Sequence, residues 1–305
     1  MYKRQGLRKY PLLKHDEETF DIVNWNFVSD KMTTNALIFD FYQNSTIKPK
    51  MRFEEYKSEI GLLFSEKSFL VGFLRNTFRN YTYTHLTSEI NEAITSDYYL
   101  RIDNKIIIIE YKDCTMADAI KNSSYDLIKE YFETIFIQSK RSKPKGVTQL
   151  IAQIDRIDKE YDRIEDFVKI GIEKSRLIIF PVIITKDFSF TVNGLNHFLN
   201  EHFRKELSRR KYPFFLIEDI ILVDLKRLMD WSDDLECGRI TLPSLLNNYL
   251  LKLSFYTEAI QKEGGQKYVL DSIASFNHLM IPQETKNITE TNAFQEILKY
   301  LKFKQ

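Results

Sequence analysis

The sequence predicts an α/β protein with a mixed sheet flanked by helices. Three observations carry that prediction. Residues 106–109 are four consecutive isoleucines, the composition of a strand buried on both faces. Val147, Leu150, Ile151, Ile154, Ile157, Tyr161 and Ile164 recur at helical spacing and form one apolar stripe. Around them the chain reads in the order helix, hairpin, helix, strand, helix, strand, which is an α/β alternation.

The elements follow in order. Residues 20–28 (FDIVNWNFV) and 35–43 (NALIFDFYQ) read as two strands, so residues 1–50 are expected to be a small β-rich segment. From Phe53 to about Phe78 the spacing is helical, with Ile60, Leu63, Phe64, Phe69, Leu70, Phe73 and Leu74 as apolar positions and Gly61 as a point of weakness. Residues 97–112 (DYYLRIDNKIIIIEYK) read as a hairpin turning at Asp103-Asn104. Residues 116–137 have helical spacing, and after a short basic loop so do 147–166. Leu177 to Thr185 reads as a buried strand, although Pro181 inside it points to an edge, a bulge or an interruption. Leu195 to Leu207 is helical, and Phe214 to Asp224 is a further strand leading into LKRLMDW. From about residue 240 the pattern is helical to the end, with a break at Gly264-Gly265.

Composition narrows the function. The 305 residues are 43% hydrophobic and 29% charged, a globular balance, and nine Gly and seven Pro leave little room for long flexible linkers. Abundant Phe, Tyr, Ile, Lys and Asn are compatible with an AT-rich, bacterial coding genome. Cys114 and Cys237 form neither a disulfide framework nor a zinc pattern. The N-terminus lacks the apolar core of a signal peptide, and no apolar run is long enough to span a membrane, so a cytoplasmic location is expected. A net charge of +1 excludes a globally basic nucleic-acid binder, so any such surface is local. Lys140, Arg141, Lys143 and Lys145 crowd one loop with Pro144 and Gly146, and Arg204, Lys205, Arg209, Arg210 and Lys211 form a second cluster. No P-loop, GxSxG or paired-histidine pattern is present.

The chemistry gathers at the hairpin. A strand buried on both faces should not end in charge, yet this one ends in Glu110-Tyr111-Lys112. With Asp103-Asn104 as a two-residue turn, Asp97 lies opposite Glu110 on the same face, with Cβ atoms about 5 Å apart. Glu110 and Lys112 share that face, being two apart on one strand. Two carboxylates so placed repel unless a proton or cation lies between them, and hard oxygen ligands suit Mg²⁺ or Mn²⁺. The tripeptide pattern [DE]-x-K also occurs at Glu55-Tyr56-Lys57 and Asp224-Leu225-Lys226. The first sits in a charged helical stretch, and the second follows a strand but has no hairpin carrying a distant Asp.

The spacing Asp97-x(12)-Glu110-x-Lys112 across a hairpin resembles the PD-(D/E)xK, or restriction-endonuclease-like, nuclease superfamily. Ser96 stands where the family has its usual proline. The resemblance covers roughly residues 52–230 and implies an α-β-β-β-α-β core, giving an expected division into 1–50, a nuclease-like core over 51–230 and a helical C-terminal segment over 231–305. It implies that Asp97 and Glu110, with the main-chain carbonyl of Tyr111, bind Mg²⁺ or Mn²⁺. It also implies that Lys112 positions or activates the attacking water or stabilises the phosphate. Members often carry an acidic residue on the preceding helix, for which Glu66 is the candidate and Glu59 the rival. Many carry a glutamine early in the following helix, for which Gln149 is the candidate. The implied activity is metal-dependent hydrolysis of DNA phosphodiester bonds, with a restriction or anti-phage role, a separately encoded ATPase or helicase as partner, and a homodimer for double-strand cutting. Two other readings stay open: a nuclease-like fold that binds nucleic acid or protein without cutting, and an RNA nuclease or exonuclease.

Overall fold

The computed structural model describes residues 12–14, 16, 19–22, 35–60, 69–81, 83–86, 97–116, 118–138, 144–164, 169–263 and 268–280. The chain divides into two compact units, residues 1–70 and 71–305.

In the first unit, β1 (Leu12–Lys14) and β2 (Phe20–Ile22) pair antiparallel. Helices α1 (Asn35–Gln43) and α2 (Phe53–Ile60) follow. The strand expected over 35–43 is therefore a helix, which corrects the β-rich reading of this segment. Tyr42 is the reason: its buried ring meets Phe53 and Tyr56 of α2 at 5.3 and 5.4 Å, and Phe39, one turn earlier, meets Phe53 at 5.0 Å. A helix brings residues three apart onto one face and a strand does not.

The second unit is built on a six-stranded mixed sheet. After α3 (Val71–Thr77), strands β3 (Tyr83–Leu86), β4 (Tyr98–Ile102) and β5 (Lys105–Lys112) form an antiparallel meander. The expected helix over 116–137 is two, α4 (Asp118–Lys121) and α5 (Tyr125–Phe136), because Asn122 to Ser124 interrupt it. Then come α6 (Gly146–Lys159) and α7 (Tyr161–Ile164). Strand β6 (Ile178–Thr185) runs parallel to β5 and is followed by α8 (Leu195–Leu207). The single strand expected over 214–224 is split into β7 (Leu216–Ile217) and β8 (Ile221–Asp224), both parallel to β6. Helices α9 (Leu225–Asp230), α10 (Ser232–Glu236), α11 (Leu242–Glu263), α12 (Val269–Ser272) and α13 (Phe276–Leu279) complete the described chain. Gly61, Gly264 and Gly265 lie outside the described residues.

The isoleucine run is buried on both faces, as its composition requires. Ile106 and Ile108 join Ile179, Ile183 and Leu222 in the core under the apolar stripe of α6 and under Leu195, Leu199 and Phe203 of α8. Ile107, Ile109, Val182 and Ile184 fill the opposite face and are equally buried.

Pro181 lies inside a central strand rather than at an edge, and the ladder explains why. The amides of Ile178 and Lys186 donate to Asn104 and Lys112, so even-numbered β6 amides face β5 and odd-numbered positions face the other way. On that other side β7 pairs with residues 178–179 and β8 with 182–185. Pro181 therefore stands where β6 changes partner, and its missing N–H leaves no ladder bond unmade. Among the described residues, no helix is long and apolar enough to cross a membrane. Neither Cys114 nor Cys237 is in a disulfide.

Candidate active site

The hairpin register is the one its turn dictates. Ile102 pairs with Lys105 and Tyr98 with Ile109, so Asp97, one residue further, stands opposite Glu110. The two-residue turn needs a left-handed residue, and Asp103 supplies it with φ 52°. Arg101 closes the turn by donating to the Asp103 carbonyl at 2.9 Å.

Each site residue is held by its element. Glu110 is the fifth of the six buried residues in the β5 run and is only 2% exposed. Lys112 ends the strand, and its Nζ donates to Glu110 Oε1 at 2.6 Å and to Gln149 Oε1 at 2.9 Å. Asp97 Oδ2 accepts from the Tyr111 amide at 2.7 Å. By strand alternation the Tyr111 carbonyl faces the same edge as its amide, the side of Asp97. Burial pushes the Asp97 carboxyl above the usual aspartate range, against the opposing pull of the Tyr111 N–H and the Lys112 charge.

Gln149 reaches Lys112 because of where α6 begins. Gly146 opens the helix with φ 30°, and a Cβ there would meet the Phe136 carbonyl oxygen at 2.6 Å. Only glycine lets the chain turn so tightly off the end of α5. Thr148 then fixes the first turn, its Oγ1 donating to the Ile137 carbonyl at 2.8 Å. Gln153, one turn on from Gln149, is fully buried rather than a surface residue.

The structure thus brings together Asp97, Glu110, Tyr111, Lys112 and Gln149. Lys145 precedes α6 and is half-buried. Glu66, Lys140, Arg141 and Lys143 lie outside the described residues, and Glu59 is an exposed residue of α2. The other two [DE]-x-K tripeptides have ordinary structural roles. Glu55 pairs with Arg52 on the exposed face of α2. Asp224 Oδ1 caps α9 by accepting from the Arg227 amide at 2.8 Å, and Lys226 pairs with Asp230.

Two residues that periodicity does not mark complete this edge of the sheet. Thr185 on β6 pairs in register with both Lys112 on β5 and Asp224 on β8, so the three share one rung and one face. Thr185 is fully buried with its hydroxyl outside any hydrogen bond, and Asp224 is 3% exposed. The signal in the sequence was the polar residue closing each apolar strand.

The arrangement offers a hard cation two carboxylates across a hairpin and one main-chain carbonyl. Among the described residues, no three His, Cys, Asp or Glu side chains form a metal-holding group. The donor set still fits an ion such as Mg²⁺, which is commonly held by one or two carboxylates and keeps several waters. Lys112 has three N–H donors, and two are engaged by Glu110 and Gln149, leaving one for a water or an anionic oxygen. Comparison of the chain with protein-family models, with curated proteins and with solved structures gives no match in any of the three.

Proposed function

We propose that this protein is a metal-dependent nuclease that hydrolyses DNA phosphodiester bonds, of the PD-(D/E)xK kind. The observation that carries the reading is the ion pair at the end of a buried strand. Glu110 lies opposite Asp97 across a hairpin, Lys112 pairs with Glu110, and Gln149 holds Lys112 from α6. A fold has no packing reason to bury two carboxylates there. The order of helix, three-strand meander, helices and parallel strand also supports it.

Asp97, Glu110 and the Tyr111 carbonyl would hold Mg²⁺ or Mn²⁺, and Glu66 as a further ligand follows from the resemblance alone. The ion, when bound, lowers the pKa of a water and neutralises charge on the phosphate. The chain's own residues do the positioning. The Tyr111 N–H holds Asp97 in place, Gln149 orients the Lys112 ammonium, and a Lys112 N–H not held by Gln149 faces the attacking water or a phosphate oxygen. Water gives up one proton as it forms the new P–O bond, the phosphodiester P–O bond breaks, and the leaving alkoxide takes up a proton, so the step consumes one water and leaves no net charge unaccounted for. A restriction or anti-phage role, a separately encoded ATPase or helicase and a homodimer follow from the resemblance alone.

A second reading is a binding module that does not cut. It is favoured by Lys112 itself, which already neutralises Glu110 without a metal. One assay separates the two: supercoiled and linear DNA incubated with Mg²⁺, Mn²⁺ or EDTA. Wild type should cut only with metal, and Asp97→Ala, Glu110→Ala and Lys112→Ala should each lose at least about a hundredfold in rate. Full activity in Lys112→Ala removes the nuclease assignment, and no cutting by wild type with either metal moves the choice to the binding module.

A further inference from the structure

We infer that Lys112 is a built-in competitor of the divalent cation: its ammonium neutralises Glu110 in the metal-free protein, and metal entry has to displace it. This rests on the metal-binding reading above and adds a control to that site.

The geometry gives the ammonium the cation's task. Nζ lies 2.6 Å from Glu110 Oε1, and the two side chains are only 13% and 3% exposed. A pair so shielded from water is weakly screened by salt. Asp97 adds a second carboxyl opposite Glu110 on the same face. Gln149 Oε1 takes a second N–H at 2.9 Å, which anchors the ammonium from the helix side. A divalent ion on Glu110 would sit within a few ångströms of this positive charge, and like charges at that range in a shielded site repel strongly. Bound metal and the Lys112–Glu110 ion pair are therefore alternatives.

The consequence reaches the substrate. A phosphate oxygen gives the displaced ammonium a new partner, so a nucleic-acid backbone and the metal favour each other's binding, and by linkage the coupling is mutual. Without backbone in the site, Lys112 keeps metal affinity low.

The test is Mn²⁺ binding at pH 8 without nucleic acid, followed by electron paramagnetic resonance of free Mn²⁺. The proteins are wild type, Lys112→Met, Lys112→Gln, Lys112→Arg, Asp97→Asn and Glu110→Gln. Loss of the positive charge should tighten Mn²⁺ binding by about tenfold or more in Lys112→Met and Lys112→Gln, while Lys112→Arg stays near wild type. Saturating Mn²⁺ should also raise the melting temperature of Lys112→Met more than that of wild type. Equal or weaker binding in both neutral variants overturns the inference. If they fold only with Mn²⁺ present, the metal replaces the ammonium and the inference stands. Failure to fold even then overturns it. Binding that disappears in Asp97→Asn and Glu110→Gln but is unchanged in Lys112→Met keeps the metal site and removes only the competition. No Mn²⁺ binding by any of the six removes the metal site itself.

Discussion

Two aspartates in this sheet carry carboxyls pushed above their usual range by burial, Asp97 at the hairpin mouth and Asp224 at the end of β8. Asp224 is the cleaner probe, because its role is structural. It caps α9, accepts from Asn277 Nδ2, and lies near Arg227, Lys226 and Asp230. Burial dominates, so the folded chain favours the neutral carboxyl. Stability from that preference is full below the ordinary aspartate pKa and is lost as pH rises through the higher folded value. Asp224→Asn keeps a good N-cap and removes the charge. The variant should therefore outlast wild type in urea near neutral pH, with the advantage shrinking on acidification and closing by about pH 4. An advantage that is constant with pH, or that grows on acidification, rules out the buried charge as its source. The catalytic candidates were legible for the same electrostatic reason: charge at the end of four isoleucines has to be explained, whereas Thr185 carries no charge and shows itself only once the strands are aligned, and Asn277 only once α13 is packed against β8.

At the scale of elements, α8 shows what periodicity can and cannot say. Its buried face, Leu195, Leu199 and Phe203, is the pattern that predicts it. Asn196 and Asn200 do something that pattern does not announce. Asn196 Oδ1 accepts from the Leu222 amide at 2.7 Å. Asn200 accepts from the Ile220 amide at 2.7 Å and donates to the Ile220 carbonyl at 2.9 Å. Those groups lie on the side of β8 facing away from β6, so two asparagines one turn apart stand in for the next strand. Asn200→Leu should then cost roughly 1–3 kcal/mol, because it leaves a buried N–H and C=O unmade. Asn200→Asp, which keeps only the acceptor, should fall between, and chemical denaturation of the three proteins orders them. A neutral Asn200→Leu means that water satisfies that edge. The misread elements fail for related reasons. In α1 the aromatic and β-branched residues favour a strand, but packing of Phe39 and Tyr42 on α2 outweighs that propensity. Pro181 reads as an edge residue because a sequence does not reveal that β6 changes neighbours midway.

For the whole molecule, the proposed nuclease activity raises the question of where a chain of net charge +1 would meet a polyanion. The second basic cluster is the weaker surface, because its three arginines are already paired. Arg204 pairs with Asp219, Arg209 with Glu206, and Arg210 with both Glu206 and Asp155. In sequence, Lys140, Arg141, Lys143 and Lys145 directly precede the helix that presents Gln149 to Lys112, which makes them the proposed backbone contacts. Counterion release makes the assignment measurable. Each phosphate contact contributes about 0.9 to the slope of log affinity against log salt, whatever the DNA sequence. Replacing the four loop residues with alanine should lower the slope by about 2 to 4 and weaken binding across sequences alike. Replacing Arg204, Arg209 and Arg210 should change it by less than about 1, since those charges are spent within the protein. Fluorescence anisotropy of a labelled duplex over a salt series in EDTA reads both without interference from cleavage. Slopes that rank the other way round would move the nucleic-acid surface to the α8 end of the sheet and leave the 140–145 loop as solvated charge.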